Sequence, residues 1–371
     1  MSGNSVRIIA DLRQGDLSDP AQAVRLGTIQ ALRAWAAIGV VIGHALYEAD
    51  ANFGLERTHL RWTAGTHLFF VISGFIMAYT NADGFGREGA AHQFAVRRFR
   101  RIVPLYWLFT TLVLATLLAG HALRSTFLDW PNVAASYLFW PAAQDDGAVR
   151  PLLSVGWTLN YEMFFYALFA AALLLRRERA LLVLTTVMVA LVAAHAWIPD
   201  SWIAAKFWSD PIILEFLAGV FLGYVFTLTG DRFADPATAC VLLAIGFAGL
   251  FILPTLPLEL GALYRLAVYG LPSVVIVGAA ALLIPSHLDR RVPRLVLLLG
   301  DASYALYLSH RFTLRLTSEV TGRLELTSPD IQVLFAVVTC VAAGVTVHLW
   351  IEKPLLRMLQ HRRQPVFELA P

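Results

Sequence analysis

The chain has 371 residues, 58% hydrophobic and only 15% charged, with a mean hydropathy of +0.63 and a formal net charge of +3. A water-soluble domain of this length carries about a quarter charged residues, so the composition excludes one. The apolar runs are continuous rather than alternating, which excludes a membrane barrel and leaves an all-α, polytopic integral membrane protein. Cys240 and Cys340 each stand alone in an apolar run. They offer no metal-ligand spacing and read as small apolar side chains, so no metal site is expected. Residues 1–28 are polar with scattered arginines and read as a cytoplasmic lead rather than a cleaved signal.

In chain order, ten spans are expected, at about 29–47, 65–80, 103–120, 155–175, 180–198, 211–228, 237–254, 262–284, 295–314 and 331–351. With the N-terminus inside, the cytoplasmic segments hold 19 Lys and Arg, the outer segments 7, and the spans three. That bias predicts ten crossings with both termini cytoplasmic. The membrane domain is expected over 29–357, followed by a tail at 358–371.

The first span carries Arg33 and His44 in IQALRAWAAIGVVIGHALY. A charge at membrane depth costs at least ~3 kcal/mol, so it faces a protein interior or a wet cavity. Eleven residues at ~100° each end ~20° past three whole turns, placing both on one face with ~16 Å between them along the axis. Arg33 then lies toward the cytoplasm and His44 toward the outer side. The second span, GTHLFFVISGF, places His67 in the outer third and Ser73 near mid-membrane. Ser73-Gly74 here, and Gly219 and Gly223 in the sixth span, are the small residues that close helix packing uses. Before the third span, AVRRFRRIVPLYW forms a basic loop with Arg97, Arg98, Arg100 and Arg101. Arginine forks bind phosphate oxygens in pairs, although inside topology alone also recruits such residues. The segment 132–140, between Pro131 and Pro141, is too short to span and reads as interfacial or re-entrant.

The fourth span opens with SVGWTLNYEMFFY and places Glu162 about two turns below the outer surface. Trp140, Trp157, Trp197 and Trp202 fall near outer boundaries, where tryptophan belts form, and Trp157 also suits stacking on a sugar. The ninth span, in DASYALYLSHR, puts His310 near its outer end. His44, His67, Glu162 and His310 thus share a depth on four helices. A carboxylate among imidazoles fixes a tautomer and raises basicity, as a general base requires. The structural alternatives are that His67 and His310 cap helix carbonyls and that Arg33 fixes packing through an ion pair.

These stretches together resemble the membrane-bound acyltransferase-3 family over about residues 27–357. The resemblance rests on IQALRAWAAIGVVIGHA with its Arg-x10-His pair, HLFFVISGF, RRFRRIVPLYW, GWTLNYEMFFY, EFLAGVFLGY, LGDASYALYLSH and IEKPLLR. IQALRA and GWTLNYEMFFY are similar to the branch that acetylates exopolysaccharides and O-antigens. The resemblance implies acetyl-CoA or another acyl-CoA, succinyl included, as cytosolic donor, no permanently bound cofactor, and a polysaccharide or lipid-linked glycan hydroxyl as acceptor. A small-molecule acceptor is the alternative within the family. It further implies a bacterial inner-membrane location and no nucleic-acid partner. On this reading His44 is the essential histidine, Arg33 its partner, and Arg98 and Arg101 fit the donor-side spacing best within the cluster that includes Arg97 and Arg100. Glu162 matches the family's W-S-x-E-like segment. His67 stands where many members have Asp, which makes Glu162 the expected orienting acid. His67, Ser73, Trp157, Asn160, Tyr161 and His310 are assigned to the acceptor side or to its support. The rival from another class is a glycan transporter or flippase, for which buried charges are equally natural.

Overall fold

A computed structural model of the protein describes residues 26–55, 64–120, 128–323 and 328–360; most of the expected lead and tail lies outside these. Among the described residues every named element is helical, and the single β feature is an isolated bridge between Ala143 and Val149. In order, the α-helices are α1 (Gly27–Phe53), α2 (Ala64–Thr80), α3 (Ala90–Leu118), α4 (Trp130–Tyr137), α5 (Trp157–Ala172), α6 (Arg177–Ala194), α7 (Ile203–Trp208) and α8 (Ile213–Thr229). They continue as α9 (Pro236–Ile252), α10 (Leu271–Gly278), α11 (Ser286–Asp289), α12 (Arg294–Asp301), α13 (Ser303–Arg323), α14 (Pro329–Val347) and α15 (Lys353–Gln360). Wider π-helical turns flank α10 at Leu266–Gly270 and Ala279–Leu283 and join α14 to α15 at His348–Glu352.

Every expected span is helical, but the helices differ in their fitness to cross a membrane. Among the described residues seven stretches are long and apolar enough: Gly27–Phe53, Ala90–Leu118, Arg177–Trp197, Ile203–Phe233, Pro236–Thr255, Gly261–Leu283 and Pro329–Leu359. The other three expected spans fall short. α2 has 17 residues and α5 has 16, while α13, with 21, is rich in Ser, Thr, His and Arg. For α2 and α5 the shortfall is in length, and for α13 in apolar character.

Two boundaries differ from expectation for local reasons. The arginine cluster is not a loop: α3 begins at Ala90 and passes through Pro104. A proline inside a helix removes one backbone donor, and buried packing around Ile102, Val103 and Tyr106 carries the helix past it. The expected span 295–314 is two helices broken at Ala302, and the second continues to Arg323. As expected, 132–140 does not span. Asp129 caps α4 by accepting from the Asn132 backbone N–H at 3.1 Å, Pro131 sits in its first turn, and Phe139 ends it with φ 56°.

The N-terminus of α1 has no side-chain cap of its own. Asp289 of α11 supplies one from the far end of the chain, accepting from Gly27 N at 2.8 Å, Thr28 N at 2.7 Å and Thr28 Oγ1 at 2.7 Å. A carboxylate on the orphan N–H groups is also the charge that the helix dipole favours.

Helix directions follow from contacts between residues. Gly219 lies against Val71 and Phe75, and Gly223 against Phe75 and Ala78, so α2 and α8 run parallel. A Cβ on Gly74 would sit 2.0 Å from the Phe216 carbonyl oxygen, and one on Gly219 2.0 Å from that of Val71, so only glycine permits this approach. Arg33 meets Ser303, His44 meets His310, and Asn52 meets Ser318, so α1 and α13 also run parallel. His310 and Leu306 meet Cys340 and Gly344 in reverse order, so α13 and α14 are antiparallel, as are α9 and α10 through Gly246 with Ile276 and Gly249 with Pro272. Both cysteines are free; Cys340 is buried and Cys240 exposed.

Candidate functional site

One cavity of about 130 Å³ opens between α1, α2, α3, α5 and α13. Its polar lining is Arg33, Thr66, Ser73, Arg98, Arg101, Thr158, Glu162 and Ser303, with Tyr166, Tyr304 and Tyr307 presenting ring and hydroxyl. The spacing explains the composition. Thr66, Phe69, Phe70, Ser73, Ile76 and Met77 recur at three and four along α2, and Thr158, Glu162 and Tyr166 at four along α5. Arg98 and Arg101, three apart, share one face of α3, which the helical rather than looped state of this segment makes possible.

Each charge has a definite setting. Arg33 Nη2 donates to Ser303 Oγ at 3.0 Å. The Arg98 guanidinium lies 5.6 Å from the Phe94 ring centre and 5.7 Å from that of Tyr166, and its buried Nε has no hydrogen-bond partner. Arg101 Nη1 is 3.7 Å from Glu352 Oε1. Glu162 Oε1 accepts from Ser73 Oγ at 3.0 Å and from the Tyr166 hydroxyl. Three guanidiniums thus face a lining that contains one carboxylate. The excess is positive, the donors are forks, and apolar walls strengthen the field, which together suit a phosphate-bearing ligand.

The two other arginines of the cluster are elsewhere: Arg97 Nη2 donates to Asn81 Oδ1 at 2.9 Å, and Arg100 is not part of the lining. Arg33 and His44 do share the face of α1 that meets α13. His44 Nδ1 is 2.9 Å from the Val40 carbonyl, which can only accept, so Nδ1 carries the proton and Nε2 the lone pair. His310 is arranged alike, with Nδ1 at 2.7 Å from the Tyr307 carbonyl and a buried Nε2 without a hydrogen-bond partner. The two imidazoles are 4.9 Å apart. Tyr307 links the two regions: it lines the cavity, and its ring is 5.9 Å from that of His310. Glu48, one turn beyond His44, and Arg311, the residue after His310, lie 3.6 Å apart.

The expected assembly of His44, His67, Glu162 and His310 therefore divides. His44 and His310 pair. Glu162 belongs to the arginine cavity, where Ser73 and Tyr166 hold it, so it is not the acid that orients His44. His67 lies one residue, and thus 100°, off the cavity stripe of α2. Its Nδ1 meets Glu215 Oε1 of α8 at 2.6 Å, and its ring stacks on Tyr269 at 5.0 Å. Trp157, Asn160 and Tyr161 also face away from the cavity. Trp157 is not an exposed belt residue like Trp140, Trp197 and Trp202; Arg265 covers it at 5.2 Å, and Phe70 and Tyr161 meet its edge. Tyr161 stacks on Phe207 at 3.9 Å, and the Asn160 amide is buried without a partner.

Sequence reasoning missed Glu215, Glu352, Ser303, Tyr166 and the tyrosines of α13. The carboxylates were findable. Glu215 is the one acidic residue of the expected span 211–228, and Glu352 closes the expected span 331–351. The rule that flagged Arg33, that an intramembrane charge needs a partner, applies equally to them.

Cavity, buried cations and helical membrane architecture agree with the comparisons. Residues 26–349 match the acyltransferase domain family, and the chain belongs to that family. It is therefore a multi-pass membrane acyltransferase. The chain is 36% identical over 317 residues to "Exopolysaccharide production protein ExoZ" of Rhizobium meliloti (strain 1021), covering 83% of this chain and 95% of that one. It is 24% identical over 395 residues to "Acyltransferase MdmB" of Streptomyces mycarofaciens, covering 93% and 95%. No solved structure matches it significantly.

Proposed function

We propose that the protein transfers acetyl from cytosolic acetyl-CoA to a sugar hydroxyl of an exopolysaccharide or its lipid-linked precursor, in a bacterial inner membrane. The observation that carries this reading is a single helix, α1, with Arg33 in a cavity of three arginines and His44, in its basic tautomer, farther along the same face. The exopolysaccharide relative favours a glycan acceptor over a small molecule. The positive-inside bias and the alternating helix directions favour ten crossings with both termini cytoplasmic, which puts the arginines on the donor side.

In the reaction, Arg98 and Arg101 with Arg33 hold the phosphates of the donor. Glu162 offsets part of their mutual repulsion and is itself fixed by Ser73 and Tyr166. His44 Nε2 takes the proton of the acceptor hydroxyl as its oxygen attacks the thioester carbonyl. The C–S bond breaks, and the thiolate leaves and is protonated. The arginines and His44 are ~16 Å apart along α1, a gap that the extended pantetheine arm spans.

The test is release of free CoA from acetyl-CoA by purified protein with the cell's own polysaccharide as acceptor. His44→Ala is expected to fold and to lose about 10²–10⁴-fold in rate. Acceptor movement across vesicles without CoA release would overturn the enzyme reading in favour of a transporter. Acetyl trapped on His44 without acceptor would replace direct transfer by a covalent relay.

A further inference from the structure

Behind Arg101, outside the cavity lining, lies a second carboxylate that the mechanism above does not use. Glu352 ends the π-helical turn between α14 and α15, and it is 1% exposed. Its Oε2 meets His348 Nδ1, one turn earlier, at 2.6 Å. Its Oε1 faces Arg101 Nη1 at 3.7 Å, too long for a hydrogen bond, and has no other hydrogen-bond partner. A chain of groups thus reaches from the last long helix toward the cavity: His348, then Glu352, then Arg101, which alone of the three lines it. A single π-turn within a long helix often marks a functional position.

We infer that Glu352, steadied by His348, is a positioning residue that holds the Arg101 guanidinium toward the cavity for the anionic part of the donor. This rests on the proposed donor reading. Two facts give the pair its role. Arg33, Arg98 and Arg101 line the same small space with only Glu162 among them, so they repel one another, and a carboxylate behind Arg101 offsets that repulsion. At 3.7 Å, Glu352 steers Arg101 through charge without occupying its fork, which stays available for two phosphate oxygens. A glutamine at 352 retains the shape but not the charge. Arg101 then turns away from its cationic neighbours, and donor binding weakens while the chemistry at His44 is untouched.

The test measures binding of CoA, and turnover of acetyl-CoA against acetyl-pantetheine, by the full-length protein in detergent. Glu352→Gln is expected to weaken CoA binding and raise the KM for acetyl-CoA about tenfold, with kcat within about twofold. Glu352→Asp is expected to recover part of the loss. With acetyl-pantetheine, which has no phosphate, Glu352→Gln is expected to match the wild type. In an Arg101→Gln background, Glu352→Gln should add nothing further, because it acts through Arg101. Additive losses, or an equal loss with acetyl-pantetheine, overturn the positioning role and leave Glu352 a structural residue. Failure of the wild type itself to bind CoA instead overturns the donor reading, and the inference with it. If Glu352→Gln fails to fold, His348→Gln, which leaves the carboxylate in place, is read by the same phosphate-dependent KM; no change there overturns the inference.

Discussion

Arg98 is gripped by two aromatic rings and keeps a buried nitrogen free, whereas Arg100, two residues on, touches no part of the cavity. Their difference makes a direct prediction. Arg98→Lys retains the charge but loses the fork and the flat stacking surface, so the KM for acyl-CoA should rise about tenfold. Arg100→Gln should change it by less than about twofold, because Arg100 is half-buried outside the cavity lining. Equal effects would mean that the cluster acts only as a diffuse basic surface. The two arginines look alike in sequence, and only the helical face of α3 separates them. At this scale the residue types were legible: Arg33, His44 and Glu162 stand out because an ionisable group in an apolar run has to be explained, and Arg98 as one of a basic cluster before the third span. Partnership was not. His67 and Ser73 lie on one helix, yet a rotation of 100° per residue sends one to Glu215 and the other to Glu162. Sequence fixes which face a residue shares, but not which helix covers that face. His67 and Glu215 are accordingly a buried pair between α2 and α8, outside the cavity lining. Glu215→Leu leaves His67 without its buried partner and should cost about 3–5 kcal/mol of stability. Thermal unfolding in detergent reads this, with the KM of any folded fraction unchanged.

At the scale of the element, the α2–α8 seam decides how the cavity is held. The backbone of each helix sits where a side chain of the other would otherwise be, at Gly74 and at Gly219. Gly219→Val would force the helices apart. Overpacking of this kind costs about 1–3 kcal/mol even where side chains can yield, and here the obstacle is backbone. The expected result is a lowered unfolding temperature and lower yield, with lost activity because α2 carries Ser73 and Thr66. The small residues announced this seam, because Gly and Ser in an otherwise large-residue span have few other uses. The extent of α3 and the break at Ala302 were not announced. Pro104 reads as a helix start from sequence, but Ile102, Val103 and Tyr106 are buried on either side of it and hold the helix straight through. Helix propensity is a weak signal beside such packing.

For the molecule as a whole, arginine placement and helix direction point the same way. Ten alternating crossings require the first and ninth spans to be parallel, the second and sixth likewise, and the ninth and tenth opposed. The contacts of α1 with α13, α2 with α8 and α13 with α14 satisfy all three conditions. The two-ended cytoplasmic arrangement predicts that alkaline phosphatase fused at either terminus is inactive, while one inserted near Gly147 is active. An active fusion at one terminus would require an odd number of crossings. Of the three helices outside the seven long apolar stretches, α2 and α5 fall short in length, with 17 and 16 residues, and α13 in apolar character.

Parallel packing of distant segments also constrains how the protein is made. Neighbouring helices of a nascent membrane chain can pair as hairpins as they leave the ribosome, but a parallel pair cannot. α2 has to wait in the bilayer for α8, and α1, which carries Arg33 and His44, has to wait for α13, some 270 residues later in the case of Arg33 and Ser303. Until then the charges of α1 lie without their final partners, and its first turn lacks Asp289. The helix that carries Arg33 and His44 is therefore made well before the segments that complete it. Chains truncated before residue 289 should be held by membrane chaperones or degraded, and pulse-chase protease sensitivity should persist until α13 emerges.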